Sequence, residues 1–296
     1  MRDQASRLRQ LVSGTNSDAS PAACPTKSAS GGRSRVIAVT SGKGGVGKTM
    51  VAVNLALLFA EMRSKVLIVD ADLGLANVDV MLGMDPGQHI GRLLLPDGRA
   101  DEVAADGPCG VKVISGGSGL RELADAASVE RLTLLSKLRS YYGEFDYVLV
   151  DTSPGIGSDV TDFLTTADDI LLVTTGEPTA LRDTYAAIKT IAQTIPGADV
   201  TPVVNRAGSK QASQAMDALN QVARRFLDRE FTRWHFIEDD LMVGRAIAER
   251  RPIVRSYPRS PASVCLRRLA NELTRPKRTQ QGRDENRPVG YAVACA

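Results

Sequence analysis

Two patterns of apolar residues alternate along most of the chain from Arg35 onward. Short, nearly continuous apolar runs at 36–40, 66–69, 111–114, 147–150, 170–174, 200–204 and 234–237 read as buried strands. Pro202 sits awkwardly in a central strand, because proline has no N–H for the ladder. Between these runs, apolar positions recur at helical spacing. Residues 49–62 present Val53, Leu57 and Ala60 on one face. Ser128 reads as an N-cap for a helix continuing from Arg131 through Leu132, Leu135 and Leu138. Residues 181–194 form a helix ended before Pro196, and 213–228, 241–249 and 263–273 complete the set. Strands without polar alternation, separated by helices, predict an α/β fold. Its sheet is mostly parallel and covered on both faces, and right-handed crossovers make it doubly wound.

The pattern stops at both ends. In residues 1–12, Ala5, Leu8 and Val12 fall on one helical face with Leu11 beside them, which predicts a short helix. Alone it is too short to hold together in water. Residues 13–34, rich in Ser, Ala, Gly and Pro, read as a flexible linker. The predicted domain then spans 35–274, followed by a polar, basic tail at 275–296.

Composition narrows the classes. The chain has 296 residues, 43% of them hydrophobic, which is enough for a sizeable core. No apolar run approaches the roughly 18 residues of a membrane span. The first twelve residues carry charges throughout, with no apolar stretch of a signal peptide, so the cytoplasm is the expected compartment. Cys24, Cys109, Cys265 and Cys295 form no C-x-x-C pair, and His89 and His235 lie far apart without acidic or cysteine neighbours, so neither a disulfide framework nor a zinc site is expected. The formal charge of +3 is uneven: +4 at 1–35, +3 at 275–296 and −4 between. Basic tails can meet nucleic acid or anionic lipid, or remain solvated; the solvated reading is preferred.

The chemistry concentrates in SGKGGVGKT, residues 41–49. Gly42 to Thr49 fits the phosphate-loop pattern G-x-x-x-x-G-K-[ST], and a buried strand precedes it while a helix follows. Gly42, Lys43, Gly44, Gly45, Val46 and Gly47 would wrap phosphates with backbone N–H groups, and the helix N-terminus at Lys48, Thr49 and Met50 adds its partial positive charge. Lys48 should reach the β- and γ-phosphates of ATP, and the Thr49 hydroxyl should hold Mg²⁺. Three aspartates end predicted strands on the same side, where open parallel sheets bind ligands: Asp70, Asp72 and Asp151. Asp151, before the loop TSPGIG, can accept from Mg²⁺-bound water. Of Asp70 and Asp72, one should approach the metal shell and the other the attacking water. A lone aspartate at a strand end more often caps a helix; three beside a phosphate loop weaken that reading.

Lys43 is unusual, since an ordinary phosphate loop needs no second lysine there. KGGVGKT resembles the deviant signature of MinD/ParA-type ATPases. That resemblance implies an ATP-dependent homodimer in which Lys43 reaches the nucleotide of the other subunit. It also implies Asp72 as the water-orienting acid, Asp70 beside the metal, and Asn205 with Arg206 at the adenine. Within this group, VIAVTSGKGGVGKT, VLIVDADLGLANVDVMLG, the EPTALRDTYAAIK run at 177–189 and PIVRSYPRSPAS at 252–263 are similar to the FlhG family (also FleN or YlxH) of flagellar-number regulators. Asp3, Gln4, Ala5, Leu8 and Arg9 resemble that family's D-Q-A-x-x-L-R element, which engages the GTPase FlhF and stimulates its hydrolysis. The resemblance implies slow ATP hydrolysis without an identifiable trans arginine finger, and control of flagellar number and placement through FlhF and a flagellar transcription activator. An anti-activator binding module with vestigial hydrolysis, or a partition ATPase on DNA, are the competing readings. Two departures stand out. Phe236-Ile237-Glu238-Asp239 replaces the family's proline-containing run, and residues 275–296 lack the apolar face of a membrane-targeting helix, which puts peripheral binding to the membrane's inner face in doubt. Val78, Val80, Met81 and Leu82 could by the same resemblance belong to a protein-binding surface, but from the sequence they are read as core.

Overall fold

β1 (Arg35–Thr40) occupies the middle of the sheet because Val36 to Thr40 are buried on both faces. A computed structural model describes residues 33–72, 76–85, 87–116 and 128–275. In it β1 lies between β5 (Tyr147–Thr152) and β6 (Asp169–Thr175). β2 (Val66–Ala71) and β4 (Lys112–Ile114) extend the sheet beyond β5, while β7 (Val200–Asn205) and β8 (His235–Ile237) extend it beyond β6. The eight-stranded order is β3-β4-β2-β5-β1-β6-β7-β8, and every pairing is parallel except that of the two-residue edge strand β3 (Ala105–Asp106) with β4. The chain leaves β1 in one direction and later returns past it in the other. The switch in winding therefore lies at the C-terminal ends of β1, β5 and β6, where such sheets bind ligands. The register sets Val39 beside Asp151 and Asp151 beside Asp70.

Helices cover both faces. α1 (Lys48–Glu61), α2 (Val78–Leu82), α9 (Ile253–Ser256) and α10 (Pro261–Leu273) contribute to one core. α3 (Ala100–Val103) and α4 (Ser128–Tyr142) contribute to a second, with Phe163 of α5 (Ser158–Leu164). The rest of α5 joins α6 (Pro178–Thr194) and α7 (Ser209–Leu227) in a third. α8 (Leu241–Ala248) is capped by Asp240, whose carboxylate accepts from the Met242 N–H. The doubly wound parallel architecture is as the apolar pattern predicts.

Several local expectations change. α1 was expected to bury one face, yet every residue from Met50 to Ala60 is buried. The cause is α10: Leu266, Leu269, Ala270 and Leu273 pack in one core with α1, α10 itself also meeting β8. Pro202 is accommodated because β8 begins to pair with β7 only at Val203, so no ladder bond is lost on that side. α2, α3, α5, α9 and β3 were not anticipated; at two to seven residues they are too short to show a period. Val78 and Leu82 are core as expected, but Val80 is exposed. Just before β1, Arg33 pairs with Asp168 and the Ser34 hydroxyl donates to the Tyr142 carbonyl. The N-terminal segment 1–12 and the tail from 276 lie outside the described residues.

Candidate active site

The loop between β1 and α1 has two residues that require glycine. Gly45 and Gly47 have φ of 75° and 99°, and a Cβ on Gly47 would come within 2.3 Å of the Asn205 amide nitrogen. Gly42 is as tightly held: a Cβ there would meet the Asp183 carbonyl oxygen of α6 at 2.1 Å. The loop is thus pressed against α6 from below. Two carbonyls of the loop are gripped from the end of β7. Asn205 donates its side-chain amide to the Val46 carbonyl at 2.7 Å, and Arg206 donates to the Gly45 carbonyl, also at 2.7 Å. Asn205 Oδ1 in turn accepts the Arg206 N–H. Carbonyls held outward leave the N–H groups at the start of α1 for a ligand, and no side chain caps that helix.

Lys48 is 7% exposed, and no hydrogen bond or ion pair ties its ammonium to another described residue. Burial pulls its pKa down, against the pull of Asp151, Asp72 and Asp70 in the other direction. Opposite it, Asp70 and Asp151 are fully buried neighbours on adjacent strands. Burial raises the pKa of Asp70, and the charge of Asp151 raises it further. Asp151 is likewise raised by burial, despite the Thr49 hydroxyl bonded to it and the nearby Lys48. Its Oδ1 is buried without a hydrogen-bond partner. Lys48 and these carboxylates attract one another across the site, but no ion pair or hydrogen bond joins Lys48 to them. Mg²⁺ with a nucleotide phosphate supplies a charge partner to each side, so the residues fit the pair. Among the described residues no cluster of three His, Cys, Asp or Glu could hold a metal alone. Mg²⁺ bound with a nucleotide is held chiefly by phosphate, water and one hydroxyl, here that of Thr49.

The other predicted residues divide. Asp70 serves structure as well as charge: Oδ1 accepts from the Asp72 N–H, and Oδ2 from the N–H groups of Asn77 and Val78, fixing the start of α2. Asp72 is half-buried and accepts from the Ser153 hydroxyl at 3.3 Å, which joins the loops after β2 and β5. Asn205 and Arg206, expected at the adenine, hold loop carbonyls with their side chains. Lys43 points to α6 of its own chain, with Nζ 3.1 Å from both Glu177 Oε2 and Thr179 Oγ1. Met50 is buried in the first turn of α1. Asp3, Gln4, Ala5, Leu8 and Arg9 lie outside the described residues.

Sequence reasoning gave no role to Glu177, Thr179, Ser153 or Asp183. The 177–189 run was visible as a distinctive stretch, but nothing local revealed that its start holds Lys43 and its middle seats Gly42. A buried hydroxyl bond of 2.7 Å from Thr184 to Thr174 locks that helix to β6 beside the loop.

Residues 34–198 match the family described as an AAA domain. The Antiactivator FleN of Pseudomonas aeruginosa is 36% identical over 242 residues, 81% of this chain and 86% of that protein. The flagellum site-determining protein YlxH of Helicobacter pylori is 37% identical over 158 residues, 53% of this chain and 54% of that protein. Among solved structures, the septum site-determining protein MinD of Pyrococcus horikoshii, complexed with Mg-ADP, aligns with a TM-score of 0.68 at 25% identity, covering 81% of this chain and 96% of that one.

Proposed function

This chain belongs to the FlhG/FleN family of MinD-type P-loop ATPases, and from that premise we propose that it is an ATP-driven dimerisation switch regulating flagellar number and placement. ATP and Mg²⁺ are its cofactors, and ATP hydrolysis its reaction. The observation that carries the reading is the separation of unmatched charge, with buried Lys48 on one side and Asp70 with Asp151 on the other. Mg-ATP, when bound, supplies the γ-phosphoryl group that passes to water. The backbone N–H groups of 44–49 and Lys48 would hold phosphate charge, Thr49, Asp70 and Asp151 would hold Mg²⁺ with its waters, and Asp72 would orient the attacking water. Asn205 and Arg206 keep the loop's carbonyls turned away.

Lys43 sets the switch. In the single chain Glu177 and Thr179 hold it. In the ATP dimer it leaves them to neutralise phosphate charge on the partner subunit's nucleotide, so ATP favours association and hydrolysis reverses it. Because Glu177 and Thr179 start α6, its release frees that helix end to signal nucleotide state. Residues 1–12 act as the partner element, stimulating an FlhF-type GTPase through Gln4, on the flexible tether of 13–34. A flagellar transcription activator is a second partner. No described helix is long and apolar enough to cross a membrane.

Solution mass with Mg²⁺ and either ADP or ATP tests the switch. The expectation is monomer with ADP and dimer with ATP, clearest in Asp72→Ala, where hydrolysis is blocked. Equal mass in every state, with ATP binding confirmed, removes the trans role of Lys43. The second reading, an anti-activator for which hydrolysis is irrelevant, is favoured by the name of the Pseudomonas relative. It predicts that Asp72→Ala keeps its full regulatory effect in cells. A peptide of residues 1–12, with and without Gln4→Ala, tests GTPase stimulation directly.

A further inference from the structure

Charge is segregated along the folded chain. Residues 36–240 carry nineteen Lys/Arg against twenty-eight Asp/Glu, a net of −9, whereas 241–274 carry seven arginines and two glutamates, a net of +5. Some of these arginines are committed: Arg245 pairs with Glu249, and Arg267 with Glu61. Arg250, Arg251 and Arg255 are not. No side-chain hydrogen bond or ion pair joins them to another described residue, and all three line one concavity of about 340 Å³. Leu82, Pro108 and Pro252 give it an apolar wall, and Ser256 adds a hydroxyl.

The backbone that carries these guanidinium groups is held firmly. Arg250 is in the left-handed region with φ of 51°, and a Cβ on the facing Gly83 would lie 2.9 Å from the Arg250 carbonyl oxygen. The Arg250 and Arg251 N–H groups donate to the carbonyls of Ile247 and Ala246, closing α8. Three like charges on a rigid turn repel one another; Glu249, already paired with Arg245, attracts Arg251 but makes no ion pair with it. Guanidinium forks match the oxygens of a phosphate in pairs.

We propose that this pocket between α2 and the α8–α9 turn is a second anion site, separate from the phosphate loop, that takes a phosphomonoester or phosphodiester group. The apolar wall contacts whatever carries the phosphate. Two hydrogen-bonded routes link the pocket to the nucleotide site. The Val254 N–H donates to Asn54 Oδ1, and Asn54 Nδ2 donates to the Met50 carbonyl in the first turn of α1. Leu82 ends α2, whose start is fixed by Asp70. Ligand in the pocket therefore bears on both ends of the nucleotide site.

The test uses the full chain saturated with Mg-ADP, so that the phosphate loop is filled and a failure of the ATPase reading is scored separately. One arm titrates glycerol 3-phosphate and reads its ³¹P resonance. The other measures flotation with vesicles of phosphatidylglycerol in phosphatidylcholine against phosphatidylcholine alone. Binding in the first arm is expected to weaken roughly tenfold in Arg250→Gln and in Arg255→Gln, the loss of a charge-assisted hydrogen-bond pair. Arg268→Gln, an exposed arginine outside the pocket, should leave it unchanged. Flotation that depends on Arg250 and is competed by glycerol 3-phosphate identifies a lipid headgroup as the source; binding without flotation identifies a free phosphate ester. Binding that persists in the Arg250→Gln/Arg255→Gln double variant, or no binding in either arm, overturns the proposal.

Discussion

At the phosphate loop, shape does the organising. Gly42 is pressed onto the backbone of α6, Gly47 onto Asn205, and the carbonyls of Gly45 and Val46 are held by Arg206 and Asn205. Across the site, at the ends of β2 and β5, charge is left unresolved. Asp70 and Asp151 sit side by side with no ion pair to Lys48, whose charge only partly offsets the burial that raises the pKa of both. The first end is built before any ligand arrives; the second is complementary to a charge the fold does not contain. A nucleotide site assembled this way binds phosphate by geometry and couples metal binding to the loops that follow the carboxylates. Asp70 is the coupling point, since the same side chain also holds the start of α2.

Substitutions at the two ends should separate these contributions. Lys48→Ala removes the buried ammonium from the geometric end; ATP hydrolysis should fall about 10²- to 10³-fold in a phosphate-release assay, with the fold retained. Asp72→Ala should lower hydrolysis by about 10²-fold while a fluorescent ATP analogue still binds, because it acts on water rather than on phosphate. Asp151→Asn sharpens the comparison most. Without ligand the variant should be more stable than wild type at neutral pH, by on the order of 1–4 kcal/mol, because a raised pKa is a cost of holding the charged form. With Mg-ADP that advantage should shrink or reverse, as seen by thermal melting with and without nucleotide. If the apo protein instead loses stability, the carboxylates are not a waiting charge but a satisfied part of the fold.

At the geometric end, Asn205→Ala and Arg206→Ala should each weaken Mg-ADP binding about tenfold, by titration calorimetry, through loss of one hydrogen bond to a loop carbonyl. Asp240 gives the contrast within the fold, a carboxylate whose partners are all present. Burial opposes its ionisation, but the N–H groups of Met242 and Ala262 and the Ser260 hydroxyl hold its pKa below the usual range. Its contribution is therefore present above the ordinary aspartate pKa of about 4 and lost as pH falls through the lowered value. Asp240→Ala should cost about 1 kcal/mol at pH 7, less at pH 3, by denaturant melts.

How much of this was legible beforehand depended on distance along the chain. The phosphate loop, its lysine and threonine, and the strand-end aspartates stood out because each lies in a short, locally patterned run. The grip on the loop did not, because Asn205 is separated from Val46 by 159 positions and only the β1-β6-β7 register brings them together. The adenine role expected for Asn205 came from resemblance, and that resemblance carried no information about the bond its amide makes here. Lys43 was recognised as exceptional, yet its partners at the start of α6 lie 134 and 136 positions away. α1 looked amphipathic in prospect because Val53, Leu57 and Ala60 share a face, and the covering by α10 is invisible within a helix-length window.

The sequence by itself determined the longer elements, the parallel class of the sheet and the chemistry at the phosphate loop, because periodicity and phosphate-loop spacing are properties of neighbouring residues. The tertiary structure alone decided which charges remain unmatched, which carbonyls are held away from the phosphates, and that Leu82, Pro108 and Arg255 meet around one pocket. Those outcomes depend on long-range register and on burial, which set the desolvation of each group and appear only when distant segments pack.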